Sequence, residues 1–445
     1  ASGLVSARAL AAGGARVRVW DDDPTRLDAL AGVAGIEAVA PSRDAWAGLS
    51  GLVLSPGVPL THPAPHPVVE LAGELELEIL GDIELFARAR PAARVVAVTG
   101  TNGKSTTTAL IGHLLNGAGH RVELGANLGR PVLDLEPLEA PGVYVLELSS
   151  YQIDLTRSLE PEIAVLLNLS PDHLDRHGDM AGYVGAKRRL LEMGRGLAVV
   201  GIDDAHGRKI AGALRAAGRE VVALSVVERP EDGIVVEDGV VLRVGPDGEN
   251  ALAHLQGIET LRGRHNWQNA AAALAVADRL GLSAAELQAG LESFPGLPHR
   301  MQRVAAGAGV AFVNDSKATN AEATAHALAA YDRVHWIVGG RPKAEGIRPL
   351  LPLLDHIAAA YLIGEAAEAF ARDLEGRVAH EIAGDLEHAV ARAGARARTE
   401  ARDEAVVLLS PACASFDQFA NFEARGEAFA RLARELVAAW EGGSC

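Results

Sequence analysis

Arg94-Val95-Val96-Ala97-Val98-Thr99-Gly100-Thr101-Asn102-Gly103-Lys104-Ser105-Thr106 is an apolar run that breaks at a glycine turn and restarts as a helix. The run lacks polar alternation, as a strand covered on both faces does. Gly100 and Gly103 allow backbone N–H groups of Gly100, Thr101, Asn102 and Gly103 to curl around an anion, and the positive end of the following helix points at it. Lys104 supplies a point charge for β- and γ-phosphates, and the Ser105 hydroxyl, followed by Thr106, suits Mg²⁺. The common phosphate-loop pattern has glycine where Val98 stands, so this is a shortened variant. The helix is expected from Lys104 through Leu115, with stops at Gly117 and Gly119.

Downstream, Val143-Tyr144-Val145-Leu146-Glu147 reads as a strand ending in a carboxylate fit for a hard cation. Ile163 to Leu167 reads as a second strand, and after it comes Asn168-Leu169-Ser170-Pro171-Asp172-His173-Leu174-Asp175-Arg176-His177. Beside a phosphate loop His173 is a candidate metal ligand, while His177 is read as a surface residue. Gly233 to Val244 reads as a hairpin about Asp238-Gly239, packed as a small accessory sheet. An Ala-rich helix reaches Leu280, and Ser283 with Glu286 makes a capping box for the next. Arg300, in Leu297-Pro298-His299-Arg300, has the planar fork that suits a γ-phosphate.

Upstream, Leu4 to Ala12 reads as a helix and Val17 to Trp20 as a strand, ending in Asp21-Asp22-Asp23-Pro24. This is the second half of a Rossmann-like unit, with its leading strand expected to be missing. The acidic end suits a ribose or base edge, and equally a solvated turn. Gly51 to Leu54 is a short strand ending in Ser55-Pro56-Gly57. Beyond Val310, strands at 310–313, 334–338, 357–363 and 405–409 alternate with helices near 321–330, 366–374, 385–397 and 419–440. Three of these strand ends carry Asn314 to Asn320, Gly339 to Lys343 and Ser410 to Phe419, and read together as one site.

The bulk composition agrees with such a chain. Its 445 residues are 49% hydrophobic and 22% charged, enough to bury a core in about three domains. Lys plus Arg number 42 against 58 Asp plus Glu, a net charge of −16 that argues against nucleic acid or an anionic membrane as partner. Two cysteines, Cys413 and Cys445, make no disulfide framework and point to a reducing, cytoplasmic setting. Cys413, among small apolar residues, is expected to be buried. No apolar run is long enough to span a bilayer, and no signal peptide is expected.

The segment Gly-Thr-Asn-Gly-Lys-Ser-Thr, with the pattern that follows it, resembles the Mur ligase family, whose phosphate loop is shared with folylpolyglutamate synthases. The resemblance implies an α/β fold of three domains: a Rossmann-like UDP-binding domain (1–84), a central P-loop ATPase-like domain with a parallel sheet (85–296), and a Rossmann-like amino-acid-binding domain (297–445). It implies ATP, two Mg²⁺ ions and a carbamylated lysine at Lys187, within Tyr183-Val184-Gly185-Ala186-Lys187. Ser105, Glu147, His173 and Lys187 become the metal set, with Lys104, His173 and Lys187 catalytic. Gly263 to Asn269 resembles the family's nucleotide segment and places Asn269 on adenine, although helix capping would also explain Asn266 and Asn269.

Asp315-Ser316-Lys317-Ala318-Thr319-Asn320, Gly339-Gly340 with Lys343, and Ser410 to Phe419 point to the D-glutamate-adding branch of the family. The resemblance puts Asp315 on the ribose of ATP, and Thr319, Lys343, Ser415 and Phe422 around D-glutamate. The other substrate is UDP-N-acetylmuramoyl-L-alanine, with Ser2, Asp21, Asp22, Ser55, Pro56 and Gly57 as candidates for UDP and Asn127, Ser149 and Gln152 for the muramoyl part. The expected enzyme is a monomer that closes about a hinge near Gly296 to Arg300. The rivals are a sister ligase, a folylpolyglutamate synthase, and a nucleotide switch that hydrolyses ATP without an acceptor.

Overall fold

The structure is a computed structural model and describes residues 2–89, 91–246, 248–343, 345–400 and 405–442; Cys445 lies outside them. Two compact units emerge: residues 1–256 with 267–293, and residues 257–266 with 294–445.

The first unit is built on a nine-stranded sheet. Seven strands run parallel, and their order places Arg94–Thr99 between Ile163–Leu166 and Val143–Glu147, with Val122–Ala126 at one edge. Leu197–Gly201, Val221–Ser225 and Gly233–Glu237 continue the sheet in the other direction. Central strands are buried along their length, because helices cover both faces, and this is why they read as unbroken apolar runs. The phosphate-loop helix runs Lys104–Gly117.

The Asp238-Gly239 hairpin is not a separate sheet. Its first strand pairs in parallel with Val221–Ser225, and its second, Val240–Gly245, pairs with a further antiparallel strand, Gly248–His254. The hairpin therefore extends the main sheet. The apolar Ile234, Val235 and Val236 are buried, which an isolated two-stranded ribbon could not achieve.

The N-terminal part of this unit has helix Ser2–Ala12 and two small parallel pairs, Val17–Val19 with Ile36–Ala38 and Gly51–Val53 with Glu78–Leu80. Its own core gathers Trp46, Leu54, Val68 and Ala72, with Leu155 contributed by the central part. A buried carboxylate fastens the two parts. Glu84 accepts the N–H groups of Arg157 (2.7 Å) and Ser158 (2.9 Å), the Ser158 hydroxyl (2.8 Å) and Nε of Arg88 (2.8 Å).

The second unit is a six-stranded sheet ordered Gln302–Gly307, Val310–Asn314, Ala405–Leu409, Val334–Gly339, Ile357–Ile363, His380–Gly384. The first pairing is antiparallel and the others are parallel. Apolar cores lie on both faces, one around Trp336 and Phe370, the other around Phe312 and Phe429. The edge strands Gln302–Gly307 and His380–Gly384 are additions to the strands read from the sequence. Among the described residues no helix is long and apolar enough to cross a membrane.

Candidate functional site

The strand Arg94–Thr99 delivers the glycine turn to the carboxyl edge of the sheet, where open α/β sheets bind ligands. Gly103 has φ +85°, a conformation glycine adopts without penalty, and a Cβ there would overlap Oδ1 of Asn269. Asn269, on helix Arg264–Arg279, thus lies directly against the loop. Asn266 donates to the Arg262 carbonyl at 3.0 Å within the same chain segment. The Lys104 ammonium folds back onto the carbonyls of Gly100 (3.0 Å) and Thr101 (2.8 Å).

A polar brace supports the loop from behind. Oδ1 of Asn168 accepts the Asn102 N–H at 2.9 Å, and the Asn168 amide donates to Oε1 of Gln268 at 2.9 Å. Gln268 in turn donates to Asp203 at 3.0 Å. The Thr101 hydroxyl meets the Tyr183 hydroxyl at 3.0 Å. Sequence reading assigned no role to Asn168, Gln268, Asp203 or Tyr183. Only Tyr183 left a usable signal, since it precedes Lys187 by four positions and so shares its helix face.

Lys187 is 2% exposed. Its nitrogen lies 2.8 Å from the Gly100 carbonyl oxygen, 3.3 Å from the Thr99 hydroxyl and 4.9 Å from the centre of the Tyr183 ring. Burial, then the like charge of Lys104, push its pKa well below the ordinary lysine value. Glu147 is also 2% exposed. Its Oε1 accepts from the Asn127 amide at 2.7 Å, whereas Oε2 has no hydrogen-bond partner. The Thr106 hydroxyl is likewise buried without a partner. A buried carboxylate oxygen with no donor fits a hard cation, which would supply the missing partner. Among the described residues no three His, Cys, Asp or Glu side chains converge into a ready-made metal cage.

His173 begins the short helix Leu174–His177 at φ +53°, half-exposed, with its ring 4.9 Å from that of Tyr151 and Nε2 3.4 Å from Asp172. His177 is not the surface residue expected from the sequence. Its Nε2 is 2.9 Å from the Ser150 hydroxyl and Nδ1 3.5 Å from Asp154, and its ring lies beside Tyr151 and Tyr183. Ser149 and Gln152 form a reciprocal capping box at the start of helix Ser150–Asp154. Glu147, Ser149 and Gln152 at the end of one strand and Asn127 at the end of its neighbour therefore gather together.

In the N-terminal part, a Cβ on Gly3 would come within 2.9 Å of the Ser55 hydroxyl, so the Ser55-Pro56-Gly57 turn sits over the helix start that carries Ser2. Asp21 accepts the Asp23 N–H at 3.0 Å, and Asp22 faces Nε2 of His66 at 3.3 Å. Arg176 donates to the Val58 carbonyl at 2.7 Å, so this part rests on the turn that carries His173.

In the second unit the strands ending at Asn314, Leu409 and Gly339 are neighbours in the sheet, which brings their turns together. Asp315 is buried and accepts the Ser410 hydroxyl at 2.8 Å and the Met301 N–H at 3.2 Å. Burial pushes its carboxyl up to about 7. Arg341 and Ala414 exchange backbone hydrogen bonds of 2.9 and 3.0 Å, tying the turn before Lys343 to the one before Ser415. Ser415 is buried, Lys343 is exposed, and Thr319 follows Lys317, whose ammonium lies 5.8 Å from the centre of the Phe422 ring. Nε of Arg300 is buried without a partner. Cys413 is buried as expected, and burial pushes its thiol up to about 12.

Residues 98–277 match the Mur ligase middle domain, and residues 299–413 match the Mur ligase, glutamate ligase domain. The chain is 52% identical over 441 residues to the UDP-N-acetylmuramoylalanine--D-glutamate ligase of Nitrobacter hamburgensis, covering 98% of this chain and 94% of the relative. It is 51% identical over 445 residues to the protein of the same name from Agrobacterium fabrum, covering 99% and 94%. Among solved structures, the MurF ligase of Thermotoga maritima in complex with ADP is similar in fold, with TM-score 0.59 at 19% identity over 92% of this chain and 87% of that one. With the phosphate loop inside one matched domain, most of the strand-end cluster inside the other, and a relative 52% identical over 98% of this chain, the chain belongs to the Mur ligase family.

Proposed function

We propose that the protein is an ATP-dependent ligase that joins D-glutamate to UDP-N-acetylmuramoyl-L-alanine, a step of peptidoglycan precursor synthesis. One observation carries this reading. The loop Gly100–Ser105, flanked by Glu147 and the buried Lys187, stands in a chain 52% identical over 98% of its length to a relative bearing that name.

In this reading the backbone N–H groups of Gly100, Thr101, Asn102 and Gly103 and the Lys104 ammonium hold the β- and γ-phosphates of ATP. Asn269 takes the adenine, Asp315 the ribose and Arg300 a γ-phosphate oxygen. The carboxylate of the UDP substrate attacks the γ-phosphorus, the bond to the β–γ bridging oxygen breaks, and ADP leaves. The free amine of D-glutamate then attacks the acyl carbon. Its nitrogen loses a proton, the acyl–oxygen bond breaks, and inorganic phosphate departs with the new amide in place. No covalent enzyme intermediate forms, so the protein contributes positioning and charge stabilisation.

Ser105, Glu147, His173 and Lys187 would hold two Mg²⁺ ions, the last as a carbamate. When bound, these ions neutralise charge on the transferring phosphoryl group. The unpartnered Glu147 oxygen supports the assignment. Ser2, Asp21, Asp22 and Ser55 to Gly57 are the candidates for UDP, and Asn127, Ser149 and Gln152 for the muramoyl part. Thr319, Lys343, Ser415 and Phe422 would surround D-glutamate, with Lys343 meeting one of its two carboxylates. The reading divides the chain at 84 and 296 into three domains and makes it a cytoplasmic monomer.

Phosphate release is the test. It is expected to require ATP, the UDP substrate and D-glutamate together. Release that proceeds without an acceptor, or that another amino acid supports equally well, overturns the reading.

A further inference from the structure

Arg176 lies in the short helix Leu174–His177, just after His173, and is 6% exposed. Its Nη2 donates to the Val58 carbonyl at 2.7 Å, while Nε and Nη1 are buried without a hydrogen-bond partner. Its guanidinium carbon lies over the Tyr151 ring, 5.2 Å from the centre. The negative face of that ring attracts the cation and takes the place of the missing acceptors. Tyr151 in turn meets the His173 ring at 4.9 Å and the His177 ring at 5.7 Å.

Each end of this chain of contacts reaches a candidate site. Val58 closes the Ser55-Pro56-Gly57 turn, its N–H donating to the Ser55 carbonyl at 3.0 Å. Tyr151 stands in helix Ser150–Asp154, which follows the strand ending at Glu147. One guanidinium therefore joins the turn proposed for UDP to a ring that lies against a proposed metal ligand. A second contact runs beside it. Gly178 has φ +81°, and a Cβ there would come within 2.9 Å of Nε2 of His62, in the same loop as Val58. The seam between the two parts does not depend on Arg176, because Glu84 fastens it elsewhere through the Arg157 and Ser158 N–H groups, the Ser158 hydroxyl and Arg88. What Arg176 adds is a link between two binding places. Moving the Ser55–Val58 turn without Arg176 would strip a buried cation of its hydrogen-bond acceptor, so the two shift together.

We infer that Arg176 is a positioning residue that couples these places: when the turn settles on the nucleoside diphosphate of the acid substrate, Arg176 and Tyr151 carry the change to His173, so that this substrate and the magnesium nucleotide bind more tightly together than apart. This rests on the ligase reading proposed above. By linkage, the nucleotide strengthens the substrate by the same factor as the substrate strengthens the nucleotide.

The experiment measures calorimetric binding of UDP-N-acetylmuramoyl-L-alanine with and without Mg²⁺ and β,γ-methylene-ATP, in the absence of D-glutamate. In wild type the nucleotide is expected to tighten the substrate at least about fivefold. In Arg176→Met that factor is expected to fall to within about twofold of unity, while each ligand alone binds within about threefold of wild type. Tyr151→Phe, which keeps the ring, is expected to retain the factor, and Tyr151→Leu to lose it. If Arg176→Met does not fold, Tyr151→Leu set against Tyr151→Phe carries the same test. A wild-type enzyme that binds both ligands without mutual effect, or an Arg176→Met or Tyr151→Leu variant that keeps the full factor whatever its separate affinities, overturns the inference. A wild-type enzyme that fails to bind one of the ligands at all overturns the proposed function as well, which separates the two failures.

Discussion

The Lys187 nitrogen rests 2.8 Å from the carbonyl oxygen of Gly100, the first residue of the phosphate turn. A lysine held there, sealed from water and near the like charge of Lys104, gains little from protonation. The neutral amine is the form that adds CO₂, and in the proposed reading the carbamate would bring oxygen ligands beside Glu147 at the phosphate turn. In ¹³C-bicarbonate the wild-type enzyme is expected to show a carbamate carbon resonance that Lys187→Arg lacks. The same substitution should lower kcat at least about a hundredfold, because a fixed cation then stands where the proposed function puts an anionic ligand. Full activity in a protein with no such resonance would refute the assignment.

Gly103→Ala tests the loop itself. The backbone there has φ +85°, and the added methyl would overlap the Asn269 amide oxygen. Strain and clash together are expected to destabilise the protein by at least about 2 kcal/mol. The clash is expected to displace Asn269, so calorimetric ATP binding should weaken more than the loss of stability alone explains. Adding Asn269→Ala to Gly103→Ala should recover part of the stability and, if Asn269 takes the adenine as proposed, none of the ATP affinity. Unchanged stability and affinity in Gly103→Ala would place Asn269 away from the loop.

The strands on either side of the phosphate turn were legible because strands buried on both faces leave apolar runs, and the turn because few residues other than glycine fit it. Edge strands leave weaker marks. His380–Gly384 and Gln302–Gly307 are partly exposed and mix polar with small residues, so neither shows a clean period. The hairpin at Asp238-Gly239 was legible, but its attachment was not, since pairing with Val221–Ser225 is a long-range choice that the local pattern does not encode. The same holds for single side chains. His177 owes its burial to Ser150 and Asp154, over twenty positions upstream. Arg425 looks from sequence like one charge on the solvated face of an amphipathic helix. Its partners, Ser316 and Cys413, come from the turns after two different strands.

The brace behind the loop predicts a graded loss. Asn168→Ala removes the acceptor of the Asn102 N–H and the donor to Gln268, leaving buried polar groups unpartnered. Asn168→Asp keeps the acceptor and loses the donor. The ATP KM is expected to rise about tenfold in Asn168→Ala and less in Asn168→Asp, with the D-glutamate KM unchanged in both. Equal losses in the two variants would mean that the Asn102 contact does not matter.

His177 gives a dependence on pH whose sign follows from its burial. Desolvation, with smaller contributions from Arg176, His173 and Lys187, pushes its pKa from 6.5 to about 4. The unfolded chain therefore takes up a proton at a pH where the folded one does not. Above pH 6.5 the group has no effect on stability. As pH falls from 6.5 towards 4, folding loses up to about 3 kcal/mol, and below that the loss stays constant. Asp154, raised chiefly by burial, works in the opposite sense by favouring the acid form in the folded state. A substitution confined to His177 isolates the histidine. His177→Gln keeps a polar partner for the Ser150 hydroxyl and cannot titrate. Its denaturant midpoint should fall less steeply than wild type between pH 6.5 and 4.5, and the two curves should converge or cross on the acid side. Parallel curves over that interval would show that His177 titrates alike in both states and is not enclosed by Tyr151 and Tyr183.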